Sequence, residues 1–269
     1  MKYLDYTDEE FLSAGPDAYN YQGVGCPFRF ANIKKGDTVL DLGSGLGIDS
    51  SIALNYVDSE TKGESGKPGK VIGLDLSEKE VAHANQRMRD RNIPESKVKF
   101  IQGDMENMPK TEEFADNTFD VVISNGAFCL APSKEKAFSE IFRVLKPGGH
   151  MAVCTSVTKL NLDENIKWPL CMEMFIRQDK LMPLCEKIGF SNIKVDDTNS
   201  LMQFDVETDM DENGKKITKS WMVASGENGQ RLEGSEGNKK VRGWNGKYQE
   251  LPADKNRVHN DSEEHREER

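Results

Sequence analysis

One stretch restricts this chain more than any other: Val39-Leu40-Asp41-Leu42-Gly43-Ser44-Gly45-Leu46-Gly47-Ile48-Asp49. Apolar residues and an acid end a predicted strand, glycines at alternate positions make a tight turn, and a helix is expected over Ser50–Tyr56. A backbone without β-carbons there lets a ligand lie close against it. The next predicted strand, Val71-Ile72-Gly73-Leu74-Asp75, ends on a second acid, whose carboxylate can accept hydrogen bonds from both hydroxyls of a ribose. Together these features describe an α/β sheet that binds a nucleoside.

Glycine spacing narrows the nucleoside. A dinucleotide fingerprint is G-x-G-x-x-G, with its third glycine where helix and strand pack, but this chain has G-x-G-x-G with Ile48 and Asp49 beyond it. That pattern suits S-adenosylmethionine better than a dinucleotide.

At 269 residues the chain can bury one substantial core, so one domain with additions is expected. A net charge of −10 argues against binding nucleic acid through a general basic surface. No apolar run approaches the ~18 residues that span a bilayer, and the start Met1-Lys2-Tyr3-Leu4-Asp5-Tyr6 lacks the apolar centre of a signal peptide, so no membrane contact and a cytoplasmic location are expected. Cys26, Cys129, Cys154, Cys171 and Cys185 show no CxxC spacing, which indicates free thiols and no metal site.

Residues 1–30 are dense in aromatics, among them Tyr6, Tyr19, Tyr21 and Phe28. They are expected to pack on the domain, either as a hydrophobic brace or as a lid whose rings line the site. A helix over Ser77–Arg91 opens on a capping box of Ser77 and Glu80, and His83 falls among its charged residues. Strands are expected at Val98–Gln102, Phe119–Ser124 and His150–Thr155, with helices at Lys134–Leu145 and Gln178–Ile188. Ala137, Phe138, Ile141, Phe142 and Leu145 form the core face of the first of these helices, and Cys154 and Cys185 fall at core-like positions. Asp104 and Met105, after the third strand, are placed to bond an adenine amine and cover its ring. Ile193–Asp197 and Ile217–Ser225 are expected to close the domain as an antiparallel pair. Residues 31–226 make up the expected main domain, and the charged, apolar-poor stretch 227–269 a disordered tail.

DLGSGLG at 41–47, Asp75, GDM at 103–105, FDVVISN at 119–125 and LKPGG at 145–149 stand in the order seen in class I S-adenosylmethionine-dependent methyltransferases, which this chain resembles over about residues 20–226. The resemblance implies a doubly wound, Rossmann-like, seven-stranded and mostly parallel sheet with a final antiparallel strand. It also implies that Asp41, Gly43, Gly45 and Gly47 hold the methionine end of S-adenosylmethionine, Asp75 the ribose, and Asp104 with Met105 the adenine. Leu76 and Asn125 complete the residues expected along the cofactor.

Within that class the chain is most similar to the arsenite methyltransferase-like group, through Tyr21-Gln22-Gly23-Val24-Gly25, Ser124-Asn125, Trp168 with Cys171, and Lys187-Ile188-Gly189-Phe190. That group holds arsenic on cysteines at three places. Here Val24 and Gly126 stand at two of them, Cys171 matches the third, and Cys26 and Cys129 lie nearby in sequence. Methyl transfer from a sulfonium needs alignment more than a base, and the scarcity of histidine favours a soft or amine nucleophile on a small-molecule acceptor. Tyr21, Cys129 and Cys171 are the expected reaction-centre residues.

Overall fold

The structure, a computed structural model, describes residues 4–21, 23–57, 68–158 and 174–196, and the strand backbones at 202–210, 216–225 and 231–233. Its centre is a parallel sheet of β1 (Thr38–Leu42), β2 (Lys70–Asp75), β3 (Val98–Gln102), β4 (Phe119–Asn125) and β5 (Leu145–Cys154), in the order β3-β2-β1-β4-β5. Apolar runs such as Val39-Leu40 and Val121-Val122-Ile123 suit strands covered on both faces, and all five of those residues are buried. The chain winds outward from β1 to β3, then returns to place β4 on the other side of β1. Open sheets of this kind collect ligands at that reversal, beyond the carboxyl ends of β1 and β4.

Strand alternation sorts the two faces. Val39, Val71 and Val121 point into a cluster with helices α3 (Ile48–Val57) and α4 (Glu78–Asp90), and Leu40, Leu74 and Val122 into a cluster with α5 (Lys134–Val144) and α6 (Gln178–Ile188). By the same period, Asp41, Asp75 and Asn125 share the first face. Ser77 caps α4 by accepting from the Glu80 N–H at 3.3 Å, and Val81, Ala84 and Met88 form its buried stripe, with His83 exposed. Phe142, expected in the core, is 45 % exposed and lies edge-on against Phe190 at 5.1 Å.

The N-terminal residues are ordered by local signals. Thr7 and Glu10 form a complete capping box on α1 (Asp8–Ala14), a 3₁₀ turn follows at Pro16–Asn20, and α2 spans Phe28–Ala31. Tyr6 and Phe28 are buried in the first cluster, and Phe28 stacks on Tyr56 at 5.2 Å.

The chain divides into two units, and among the described residues the second begins at Lys194. Its described part is an antiparallel sheet of β6 (Met202–Met210), β7 (Lys216–Ser225) and β8 (Arg231–Glu233). Two expectations are corrected here. Ile217–Ser225 pairs with Met202–Met210 and not with Ile193–Asp197, because Met-Gln-Phe-Asp-Val-Glu alternates at strand period and a short link suffices for a hairpin. Arg231–Glu233, assigned to the disordered tail, pairs with β7. Of the seven strands the resemblance implies, five are described in the parallel sheet. Among the described residues no helix is long and apolar enough to cross a membrane.

Candidate functional site

The turn after β1 is pinned to the end of β2. The N–H groups of Gly43 and Ser44 both donate to the Leu74 carbonyl, at 2.7 and 3.0 Å. Gly43, Gly45 and Gly47 have φ of 75°, 49° and 72°, in the left-handed region that side chains rarely adopt. Two of these glycines differ in what a side chain would meet. A Cβ on Gly43 would fall 2.1 Å from the Ala127 Cβ, whereas one on Gly45 would meet nothing within 4 Å. Gly45 therefore faces open space.

Asp75 closes one edge of that space. Its carboxylate accepts from the Gly45 N–H at 2.8 Å on one oxygen and from the Ser77 N–H at 2.9 Å on the other, which leaves each oxygen a lone pair. Ser44 is 9 % exposed, and its hydroxyl is a buried polar atom with no hydrogen-bond partner.

A second cluster lies beyond β1 and β4. Asp41 accepts from the Ser50 hydroxyl at 2.6 Å. Asp49 accepts from the hydroxyls of Tyr6 at 2.7 Å and Tyr21 at 2.5 Å, and from the Asn125 amide at 3.2 Å. The Asn125 oxygen accepts from the Val24 and Gly25 N–H groups at 2.8 and 3.2 Å, while its nitrogen donates to the Gly25 carbonyl at 2.6 Å. One strand-end amide thus fixes the N-terminal segment across the end of the sheet.

Burial pushes both carboxyls above the ordinary range. The nearby charge of Asp49 raises Asp41 further, to about 8, and hydrogen bonds from Tyr21, Tyr6 and Asn125 hold Asp49 lower, at about 6. Between about pH 4 and about pH 8 the folded protein then binds more protons than the unfolded one, and stability falls as pH rises through that window. The melting temperature of the ligand-free protein is expected to drop from about pH 5 to about pH 8, and Asp41→Asn to flatten the slope. Thermal unfolding in a pH series checks this, and an unchanged slope in the variant would refute the assignment.

The structure brings most of the expected cofactor residues to this end of the sheet. Leu76 is 71 % exposed beside Asp75. Met105 is half-buried and reaches the turn, its terminal methyl 3.7 Å from where a Gly43 Cβ would be. Asp104 is exposed and accepts from the Glu106 N–H at 2.8 Å, which makes it a turn cap as well.

The thiols are arranged differently from expectation. Cys129 is buried, with its thiol donating to the Gly126 carbonyl at 3.3 Å. Cys171 lies outside the described residues. Cys154 is not core: it is half-buried at the end of β5, where a Cβ on Gly25 would fall 2.9 Å from its sulfur. Burial, then Asp49 and Cys26 nearby, push its thiol up to about 12. Among the described residues no three of His, Cys, Asp and Glu are grouped to hold a metal ion.

Tyr6 and Asp49 were not among the expected site residues. An acid in the first turn of a helix reads as a partner for the helix dipole, and only the fold shows that Asp49 is buried among hydroxyls.

Comparison with known proteins gives a consistent result. A family model described as a methyltransferase domain matches residues 33–189. The arsenite methyltransferase of Halobacterium salinarum is 29% identical over 218 residues, 78% of this chain and 52% of that protein. The sterol 24-C-methyltransferase of Saccharomyces cerevisiae is 35% identical over 135 residues, 50% of this chain and 31% of that protein. The crystal structure of an arsenic(III) S-adenosylmethionine methyltransferase from Chlamydomonas reinhardtii matches with a TM-score of 0.53 at 25% identity, covering 78% of this chain and 64% of that one. The chain spans about half the length, or less, of these two curated relatives.

Proposed function

Because the chain belongs to the methyltransferase-domain family, we propose that it moves a methyl group from S-adenosylmethionine to a small-molecule acceptor. The observation that carries this reading is the open side of Gly45 next to the Asp75 carboxylate, a cradle for a ribose with its chain running along the turn. The buried acids Asp41 and Asp49 also suit a ligand that carries positive charge.

When bound, S-adenosylmethionine supplies a methyl group already activated on a sulfonium. The work left to the chain is alignment and exclusion of water. We assign Asp41, Gly43, Gly45 and Gly47 to the methionine end, Asp75 and Leu76 to the ribose, and Asp104 and Met105 to the adenine. Tyr21 and Asn125 border the transferred methyl, and residues 4–21 and 23–31 form the cover that keeps water out. Both oxygens of Asp49 are engaged by Tyr6 and Tyr21, so the site favours an acceptor that attacks without a general base.

Arsenite is the first soft acceptor to test. Similar proteins carry that name, and Cys26 and Cys154 flank Gly25 at the edge of the acidic cluster. Purified protein, S-adenosylmethionine with a labelled methyl group, glutathione and either arsenite, a small thiol or an amine is expected to yield one labelled product. Cys154→Ser, Cys129→Ser and Cys171→Ser then identify which thiols meet the acceptor. Failure to bind S-adenosylhomocysteine in calorimetry would overturn the proposal at its root.

A further inference from the structure

Two of the points that hold the N-terminal segment adjoin the glycine turn and the strand ends. One is the cluster of Tyr6, Tyr21, Asp49 and Asn125. The other uses a residue that faces no ligand: Arg87, in the third turn of α4. Its Nε donates to the Asp17 carboxylate at 2.7 Å, one terminal nitrogen donates to the Ala14 carbonyl at 2.7 Å, and the other donates to the Leu46 carbonyl.

These three acceptors belong to different parts of the molecule. Leu46 lies inside the glycine turn, between Gly45 and Gly47. Ala14 is the last residue of α1, where unpaired carbonyls gather negative potential that attracts a cation. Asp17 belongs to the 3₁₀ turn that follows. Arg91, the residue just after α4, donates to the Ser13 carbonyl at 2.7 Å and so repeats the grip on α1. Among the described residues Arg87 bonds both α1 and the glycine turn.

The side chain is 11 % exposed, so its bonds are made largely out of water, where losing one costs more than at a surface. A guanidinium is planar and its donors are fixed relative to one another. A shift of the Leu46 peptide therefore has to be followed by the Ala14 carbonyl, or one of the two bonds is lost. Lysine, with a single flexible ammonium, cannot transmit position in this way.

We infer that Arg87 is a positioning residue that couples the shape of the glycine turn to the docking of the N-terminal cover. This rests on the reading of the turn as the S-adenosylmethionine site. A ligand that settles the turn also secures α1 and the following turn over the site, and release of the cover loosens the turn.

Hydrogen exchange on the full chain, with S-adenosylhomocysteine as the unreactive probe, tests the coupling. In the wild type the probe is expected to slow exchange both at residues 43–51 and at residues 8–21. In Arg87→Ala the slowing at 43–51 is expected to persist while most of that at 8–21 is lost, and the dissociation constant to rise about tenfold, an effect of the size of one charge-assisted bond although three are removed, because the Asp49 cluster still holds part of the segment. The KM for S-adenosylmethionine should rise by a similar factor while kcat stays within about threefold. Arg87→Lys, which keeps the charge and much of the packing and serves if the alanine variant does not fold, should lose at least half of the protection at 8–21. Asp17→Ala removes the ion pair but leaves both carbonyl bonds in place, and should keep more of the protection at 8–21 than Arg87→Ala does. Wild-type protection of both segments in either Arg87 variant overturns the coupling. A wild-type protein that does not bind the probe overturns instead the reading of the site.

Discussion

Asp75→Ala is expected to weaken binding of S-adenosylhomocysteine by at least about 100-fold while the protein still folds. Hydrogen bonds to a charged group are worth about 1.5–3 kcal/mol each, and a ribose would make two with this carboxylate. The same carboxylate also holds the Gly45 and Ser77 N–H groups at 2.8 and 2.9 Å, so its loss relaxes the turn on which the rest of the ligand lies. Asp75→Asn keeps one acceptor oxygen and should fall between the two proteins. Calorimetric titration measures both, and an affinity within tenfold of wild type in the alanine variant would remove Asp75 from the site.

Gly43→Ala should act on the fold more than on the ligand. Holding a side chain at φ 75° costs about 1–2 kcal/mol. The added methyl would also overlap the Ala127 Cβ, and relieving such a clash costs about 1–3 kcal/mol more. The sum, about 2–5 kcal/mol, corresponds to a fall in melting temperature of roughly 5–15 °C. Gly45→Ala is the control. With no neighbour to strike, it should melt only about 2–4 °C lower, yet its methyl enters the space assigned to the ligand and affinity should drop. Equal losses of stability in the two variants, measured by thermal unfolding, would contradict the steric difference between these glycines.

Much of the parallel sheet could be read in the sequence because its signals are local. Val98–Gln102 and Gln178–Ile188 match their expected bounds, and Ser77 and Ser133 cap the helices they precede. The glycine turn and Asp75 were legible for the same reason, since a strand, a turn and an acid are contiguous. The acidic cluster was not. Tyr6 meets Asp49 across 43 residues and Asn125 across 119, and no period or motif encodes such a pairing. Cys154 was misplaced because alternation alone assigns it to the core face. At the end of β5 that face meets the backbone of Gly25 instead of a core side chain, and Cys154 stays half-buried. The alternation of Met202–Met210 was available in the sequence, but the neighbouring Ile193 and Val195 offered a competing partner for β7.

The grip of Asn125 on the first residues also sets an order of events during synthesis. Tyr6 leaves the ribosome 119 residues before the amide that receives it, and Val24 and Gly25 about 100 before theirs. β1, β2 and β3 with their helices can assemble from neighbours in the chain, whereas the aromatic segment has no sheet end to cover until β4 is laid beside β1. The bonds of the aromatic segment to Asn125 are thus formed after the elements that carry its other anchors, Asp49 and Arg87, are already made.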